Sequence, residues 1–246
     1  GDCGGITIDN CVLTGSTTAP KTADNALIYS SGKSDGIKVL NSSLTGGSYG
    51  IYLNSPGGMT SGAELLGNSI RNMTNMGIFT QNIGNAKINE NRITGTSFNY
   101  GIYAGNGGEI MNNIITGITG IDRGGITTME AGIMVKYGGA SALVTGNTVR
   151  GNNAHGIYLA DLGSVEASQN IINMTTNNGV LRGGLTLLNS NGKVNENSIT
   201  NNNVDGIHLE NSTAEILKNK VNIIGGYTGI NLVESNACLL YTSPSP

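Results

Sequence analysis

Apolar and polar positions alternate in short segments along this chain, and two kinds of segment recur. In the first kind, an asparagine stands two residues before an aliphatic residue, as in Asn91-Arg92-Ile93. In the second, Gly-Ile is followed by an outward and an inward position, as in Gly50-Ile51-Tyr52-Leu53. Alternation with a period of two predicts β-strands whose aliphatic residues share one face. Because no segment has a helical period, the pattern predicts an all-β fold.

The two segments alternate along nearly the whole chain. The first kind begins at Asn10, Ser42, Asn68, Asn91, Asn113, Asn147, Asn170, Asn197 and Asn219. Gly-Ile or a variant follows each copy, and we expect Ala26-Leu27 to take that place in the first repeat. Openings 22–31 residues apart are typical of a solenoid. We predict a parallel β-helix of about nine coils, in which stacked asparagine side chains hydrogen-bond along the axis.

The repeat resembles that of the right-handed parallel β-helix proteins of the pectate-lyase-like superfamily. Residues 197–221 show the pattern whole, as NSITNNNVDGIHLENSTAEILKNKV, and the resemblance extends over roughly residues 6–233. It implies a right-handed parallel β-helix and says little about activity. Leucine-rich repeats have a similar period, but they need many leucines and a helical segment in each repeat.

The last nine residues differ in kind from the repeats. Cys238–Pro246 reads CLLYTSPSP and resembles the translation of a sequencing adapter. We therefore expect one β-helix domain over residues 1–237, uncapped at both ends, and a non-native tail over residues 238–246. A chain that lacks a starting methionine fits an internal fragment of a longer protein.

Composition narrows the classes of partner. The net charge is −3 and only 12% of residues are charged, so the sequence lacks the basic stripe typical of a nucleic-acid-binding protein. No apolar run is long enough to predict insertion into a membrane. We expect an extracellular, cell-surface or periplasmic protein. Cys3 and Cys11 could form a local disulfide there or remain as thiols.

Repeat alignment predicts a row of outward side chains, one from each Gly-Ile segment. Its members are Ile28, Tyr52, Phe79, Tyr103, Met134, Tyr158, Thr186, His208 and Asn231. Four are aromatic in a chain that is 4% aromatic, so the row is enriched. Tyr52, Phe79, Tyr103, Tyr158 and His208 are the candidate substrate-binding residues. Alternatively, the aromatic rings pack on their neighbours one coil away.

Three long insertions supply the candidates for catalysis. They follow Val12, Ile115 and Ile172, and all fall in the same turn of the coil, so they should project from one edge. Cationic and acidic side chains there could hold an acidic sugar and move protons. Alternatively, these charges are simply solvated. The candidate catalytic residues are Asp122, Arg123, Glu130, Lys136, Tyr158 and Arg182.

The known enzymes of this superfamily imply further constellations, and each is incomplete here. Asn203-Val204-Asp205-Gly206 resembles the first aspartate motif of polygalacturonase-like hydrolases, but Thr228 stands where a partner carboxylate is expected. Ala154-His155-Gly156 is a weak match to their histidine motif, and the Asp-Pro-His-Asp signature of alginate epimerases is missing. No run of aspartates supplies the oxygens that calcium needs, so Ca²⁺ is unsupported and no other cofactor or metal site is evident. His208 and Glu210 could form a base and its orienting group or a chance surface pair.

These observations favour a domain that binds polysaccharide or cell-surface glycan through an outward strand face. Adhesins and tail-spike-like proteins are the models for this interpretation. The alternative is an enzyme acting on acidic polysaccharide, with a lyase expected first, then a hydrolase or an epimerase. The expected partner in each case is a glycan.

Overall fold

Short strands make up most of the molecule, as the alternating pattern predicts. The computed structural model describes residues 5–33, 35–98, 100–119, 130–152, 154–175 and 183–240. Within this part of the chain the strands form three long sheets, here named A, B and C in the order in which each coil visits them. All their pairings are parallel and join successive coils, so the fold is a parallel β-helix.

Sheets A, B and C contain ten, nine and nine described strands, which confirms the expected number of about nine coils. The strands of sheet A are Thr7–Asp9, Lys38–Leu40, Glu64–Leu66, Lys87–Asn89, Gly108–Met111, Ser141–Thr145, Ser164–Ser168, Asn191–Asn195, Thr213–Leu217 and Asn236–Leu240. Those of sheet B are Val12–Thr14, Ser43–Thr45, Ser69–Arg71, Arg92–Phe98, Ile114–Thr119, Thr148–Asn152, Ile171–Thr175, Ser198–Asn202 and Lys220–Ile224. Those of sheet C are Ile28–Ser31, Tyr49–Asn54, Met76–Gln81, Tyr100–Gly105, Ala131–Lys136, His155–Ala160, Leu185–Leu188, Ile207–Glu210 and Ile230–Val233. A small sheet pairs Thr60–Ser61 with Ile83–Gly84, and a 3-10 helix spans Ala23–Asn25.

The core lies inside the coils and consists of the inward aliphatics of all three sheets. Ile88 of sheet A, Ile93 of sheet B and Ile102 of sheet C are each fully buried. Burying one such side chain contributes about 1.5–3 kcal/mol relative to exposure. Since each coil adds a similar set, stacking produces one continuous core.

The glycine of the Gly-Ile segment is explained by packing between neighbouring coils. A Cβ added at Gly132 would lie 2.2 Å from Val149 Cγ1 of the next coil, and one at Gly101 would lie 2.5 Å from Ile115 Cγ2. Such distances are far shorter than carbon–carbon contacts allow. Glycine is therefore required where sheet C begins, because the inward side chain of sheet B fills that space.

The predicted asparagine ladder is confirmed. At each step the side-chain Oδ1 accepts a hydrogen bond from the backbone N–H one coil earlier, at 2.9–3.0 Å. From Asn68 onward, Nδ2 also donates to the Oδ1 of the next asparagine. The ladder thus satisfies buried backbone groups where the chain turns from sheet A into sheet B.

The register of the first coil differs from the prediction by one residue. Leu13 pairs with Leu44, and Cys11 N–H donates to Ser42 Oγ, so Cys11 and not Asn10 is the first rung of the ladder. Val12 consequently points outward and is 78% exposed. The Asn-x-aliphatic pattern gives the wrong register here because Asn10 is the residue before the first rung, at the corner between sheets A and B, with φ 53°.

That corner explains another regularity of the sequence. The residue before each rung has a positive φ, and several of these positions hold asparagine or glycine, such as Asn41 and Gly146. Asparagine and glycine adopt this left-handed conformation most easily. Glu90, Glu196 and Lys218 occupy the same corner without that advantage, at φ 60°, 56° and 52°.

The boundary predicted at residue 237 falls inside a strand. Asn236–Leu240 continues sheet A and pairs with Thr213–Leu217, which places Cys238 beside Glu215. The foreign origin of residues 238–246 stays a prediction, since strand pairing does not report where a sequence comes from. Cys3 and residues 241–246 lie outside the described residues.

Candidate binding face of sheet C

The outward face of sheet C carries a central row of one side chain per coil. Strand pairing assigns to it Tyr29, Tyr52, Phe79, Tyr103, Met134, Tyr158, Thr186, His208 and Asn231. Eight members are those predicted. The ninth is Tyr29, because Ile28 pairs with Ile51 and points into the core. Leu27-Ile28, not Ala26-Leu27, therefore takes the Gly-Ile place in the first coil.

The first four residues of the central row form one continuous stack of rings. Tyr29 and Tyr52 have centroids 5.3 Å apart, Tyr52 and Phe79 4.7 Å, and Phe79 and Tyr103 4.9 Å. The ring planes differ by only 9–16°. Because the rings cover one another's faces, this stack presents mainly ring edges and hydroxyls outward. The structure thus favours the alternative that the aromatic faces pack on neighbouring coils.

A second outward row supports the aromatic stack from the side. Tyr49 meets Tyr52 edge-to-face at 5.2 Å, and Tyr100 meets Tyr103 in the same way at 5.8 Å. The hydroxyl of Tyr49 accepts a hydrogen bond from Asn75 Nδ2 at 2.8 Å. Each such aromatic pair contributes about 0.5–1.5 kcal/mol beyond burial. The stack is therefore a rigid element of the surface.

Burial and neighbouring charge perturb the tyrosines of this face. Burial, with the charge of Glu130 second, raises the pKa of Tyr100 to about 12. The pKa of Tyr103 is also raised, by burial first and then by Tyr137. The pKa of Tyr49 is raised by burial and by Tyr52. All three phenols are therefore neutral hydrogen-bonding groups at physiological pH.

The middle of the face is apolar and buried although it lies outside the coils. Ala131, Met134, Tyr158 and Ala160 form a cluster separate from the core, and Tyr158 is only 3% exposed. The ring of Tyr158 meets that of His155 edge-to-face at 5.0 Å. This candidate catalytic residue is thus packed within the outer face rather than displayed on it.

The last part of the face is polar and brings the only two histidines of the chain close together. His155 Nδ1 lies 3.2 Å from Thr186 Oγ1, and Thr186 pairs with His208 in the next coil. Gly183 leaves space here, since an added Cβ would lie 3.0 Å from Thr186 Oγ1 and 3.1 Å from His208 Cβ. His155, Thr186 and His208 come from three successive coils, and each is at least 95% buried.

His208 is held between two carboxylates. Its Nδ1 lies 3.5 Å from Asp205 Oδ2, and its Nε2 lies 3.7 Å from Glu210 Oε2. Asp205 is itself fixed by Thr228 N–H at 2.9 Å and by Asn231 Nδ2 at 2.8 Å. An imidazole between oriented carboxylates is an arrangement suited to proton transfer. Where the hydrolase motif would have its second carboxylate, the backbone N–H of Thr228 instead donates to Asp205 Oδ1.

The other predicted catalytic residues are only partly placed. Glu130 is 5% exposed, and its carbonyl accepts the N–H of His155 at 2.8 Å. Lys136 ends its strand with Nζ 4.7 Å from the ring centroid of Tyr137. Asp122, Arg123 and Arg182 lie outside the described residues, so their convergence with Lys136 and Tyr158 stays a prediction.

One member of this face, Tyr29, is not predicted from the sequence, and the contacts of two others are not. Tyr29 was hidden by the shifted register of the first coil. Thr186 and Asn231 were assigned to the central row, but only their contacts to His155 and Asp205 identify them as part of a polar cluster. Side chains that meet across coils are separated by 23–31 residues, and no local motif joins them.

Within the described part of the chain, no group of three or more His, Cys, Asp or Glu side chains is arranged to hold a metal ion. No described helix has the length and apolar character needed to span a bilayer. Calcium binding stays an interpretation without support from the sequence.

Comparison with known proteins identifies the repeat. Residues 97–243 match the model of the family described as the right handed beta helix region. No curated protein and no solved structure gave a match. The matched segment covers more than half of the chain and includes the middle and last parts of the sheet C face. The chain therefore belongs to the right-handed β-helix family.

Proposed function

We propose that this domain binds glycan chains along the outward face of sheet C. The observation that carries the proposal is the continuous stack of Tyr29, Tyr52, Phe79 and Tyr103, whose edges are half exposed at the spacing of the coils. A solenoid offers an extended surface, and a polymer with repeating units can contact successive coils in the same way. A glycan-binding role would place the protein at the cell surface or outside the cell.

The chemistry of the stack fits sugar hydroxyls better than sugar faces. Phenolic oxygens can both donate and accept hydrogen bonds, and ring edges supply apolar contact. Asn54 and Gln81 stand beside the stack in the next outward row, with Asn54 Nδ2 3.5 Å from the Tyr52 hydroxyl. Amides and phenols together offer donors and acceptors to a chain lying along the axis.

Removing the hydroxyls while keeping the rings tests this proposal. The triple variant Tyr29→Phe, Tyr52→Phe, Tyr103→Phe should retain the stack yet bind the recognised polysaccharide about tenfold more weakly, at about 0.5–1.5 kcal/mol for each lost hydrogen bond. Binding would be measured by affinity electrophoresis and calorimetry against neutral and acidic polysaccharides. Tyr227→Phe, on an exposed tyrosine outside this face, is the matched control and should bind as the parent does.

Two results would contradict the proposal. The first is that the parent chain binds none of a broad panel of polysaccharides. The second is that the triple variant binds as tightly as the parent, which would remove the stack from the binding face.

A second function is favoured by one specific observation, the placement of His208 between Asp205 and Glu210. Such a group suits acid–base chemistry on an acidic polysaccharide, with elimination as the first expectation and hydrolysis as the second. Unsaturated-product absorbance and reducing-end assays on uronic-acid polymers test it. Turnover that disappears in His208→Asn while binding persists would support an enzyme, whereas binding without any turnover would leave the non-catalytic function.

A further inference from the structure

The outward face of sheet B has a charge pattern unlike the rest of the molecule. Two outward rows run along all nine strands of this sheet. The first row contains Val12, Ser43, Ser69, Arg92, Ile114, Thr148, Ile171, Ser198 and Lys220. The second contains Thr14, Thr45, Arg71, Thr94, Thr116, Arg150, Asn173, Thr200 and Asn222. The eighteen positions include four cations and no carboxylate, in a chain whose net charge is −3.

The four cations of sheet B are exposed and uncommitted among the described residues. Arg71, Arg92, Arg150 and Lys220 are all in the exposed class. None of them forms an ion pair with another residue that the structure describes. Their charges are therefore available to a partner.

Sheet A shows that this arrangement does not follow from the fold. Its outward row reads Lys38, Glu64, Lys87, Glu109, Leu143, Glu166, Lys193 and Glu215 in consecutive coils. The signs alternate except at the uncharged Leu143, and Lys38 Nζ lies 2.9 Å from Glu64 Oε2. The same backbone thus balances its charges on sheet A and leaves them unbalanced on sheet B.

The acidic residues nearest to sheet B lie at its corner with sheet A. Glu196 is already engaged there by Lys218 at 3.5 Å and by Gln169 Nε2 at 3.2 Å. Glu90 stands two residues before Arg92 and forms no ion pair within the described residues. The face between the corners stays positive.

The cations lie along the axis of the helix rather than in one spot. Arg71 and Lys220 belong to the third and ninth strands of sheet B, so they are separated by about 29 Å at about 4.8 Å per coil. Threonine, serine and asparagine occupy most positions between them. A linear polyanion with hydroxyl groups could therefore contact cations and hydroxyls alternately along its length.

We propose that the outward face of sheet B is a second, independent surface that binds an extended acidic polysaccharide. Charge complementarity selects a polyanion, and the hydroxyl-rich spacing suits uronic-acid sugars. Nucleic acid is the less suitable polyanion, because none of the eighteen positions holds an aromatic side chain on which bases could stack. The surface is separate from the sheet C face and does not depend on its function.

Matched charge variants of the full chain test this proposal. Polygalacturonate and alginate serve as acidic probes, dextran as the neutral probe, and single-stranded DNA as the alternative polyanion. The variant Arg71→Gln, Arg92→Gln, Arg150→Gln should bind the acidic probes about tenfold more weakly, with a flatter dependence on salt. The control Lys38→Gln, Lys87→Gln, Lys193→Gln changes the net charge equally but on sheet A, and should bind within about twofold of the parent.

Several outcomes would overturn the assignment. These are a parent chain that binds neither acidic probe, a sheet B variant that binds as tightly as the parent, and a control variant that weakens binding equally. Tighter binding of DNA than of both polysaccharides, lost in the sheet B variant, would make the face a nucleic-acid surface instead. The single variant Arg150→Gln, expected to weaken binding about threefold, decides the matter if the triple variant does not fold. The triple tyrosine-to-phenylalanine variant reports on sheet C and the triple arginine variant on sheet B, so failure of one proposal leaves the other testable.

Discussion

Truncating one rung of the asparagine ladder should destabilise the protein far more than truncating an exposed asparagine. Asn147 is fully buried and makes several side-chain hydrogen bonds. Its Oδ1 accepts from the backbone N–H and the Nδ2 of Asn113, at 3.0 and 2.9 Å. Its Nδ2 donates to Ile110 O at 2.8 Å and to Asn170 Oδ1 at 3.0 Å. Asn147→Ala would remove all of these at once.

The magnitude follows from the partners left behind. The N–H of Asn113, its Nδ2 and the carbonyl of Ile110 each lose a hydrogen bond in a buried environment. Each buried group left unsatisfied costs about 1–3 kcal/mol, so we expect Asn147→Ala to lower the free energy of unfolding by about 3–9 kcal/mol. Asn147→Ser should cost about 1–3 kcal/mol less than Asn147→Ala, because a hydroxyl can still accept the N–H of Asn113. Ser42 already does this for Cys11 at 3.1 Å.

Urea denaturation followed by circular dichroism measures the loss. A solenoid can unfold in parts, so hydrogen exchange of the Asn113 amide should be recorded as well. Asn173→Ala, on the exposed side of sheet B, is the control and should change stability by less than about 0.5 kcal/mol. A loss below about 1 kcal/mol in Asn147→Ala, or an equal loss in the control, would refute the reasoning from buried partners.

The remaining predictions concern charge, pH and backbone strain. Lys87→Glu would place a carboxylate between Glu64 and Glu109, so that three carboxylates lie side by side in successive coils. The free energy of unfolding, measured by urea denaturation, should fall by about 1–2 kcal/mol in low salt and by less in high salt. The raised pKa of Tyr100 stabilises the folded state below pH 10, and this contribution should be lost as the pH rises from 10 to about 12. Absorbance titration at alkaline pH, compared with Tyr100→Phe, detects it, and an unchanged titration curve in the variant would contradict the assignment. Glu90→Asn should raise the thermal midpoint by relieving the positive φ, with a gain of about 0.5–1 kcal/mol, and no gain would mean that the corner carries little strain.

The repeating interior could be predicted from the sequence because each coil obeys the same constraints. Asn91 marks a corner, Ile93 marks the core and Gly101 marks a close approach between coils, and all three are readable from spacing. The sequence alignment of the first coil with the others is wrong by one residue because this coil departs from the pattern. Cys11 takes the asparagine position of the ladder, and Leu27 stands where glycine is usual. A period-two pattern cannot correct a shift of one residue when the diagnostic residue is replaced.

The outer face was less predictable for a physical reason. The direction in which a side chain points depends on its position in the strand, whereas its burial depends on what packs over it. Tyr158, for example, points outward and is only 3% exposed. The cluster around His208 could not be recognised as a motif because Asp205, which lies beside His208, is oriented by Thr228 and Asn231 one coil later. The spacing of the repeats predicts which side chains belong to one row, but only the structure shows which of these side chains are in contact.

The alternating charges of sheet A suggest how such a uniform interior still specifies one order of coils. Inward positions repeat so closely that a strand could pair with the wrong coil without losing its apolar contacts. If one coil were skipped during folding, Lys38 would lie beside Lys87, and Glu64 beside Glu109, which is a repulsive arrangement. The correct order places every one of these charges beside its opposite. The apolar interior therefore favours stacking of the coils in general, and the sheet A charges penalise the mispaired orders.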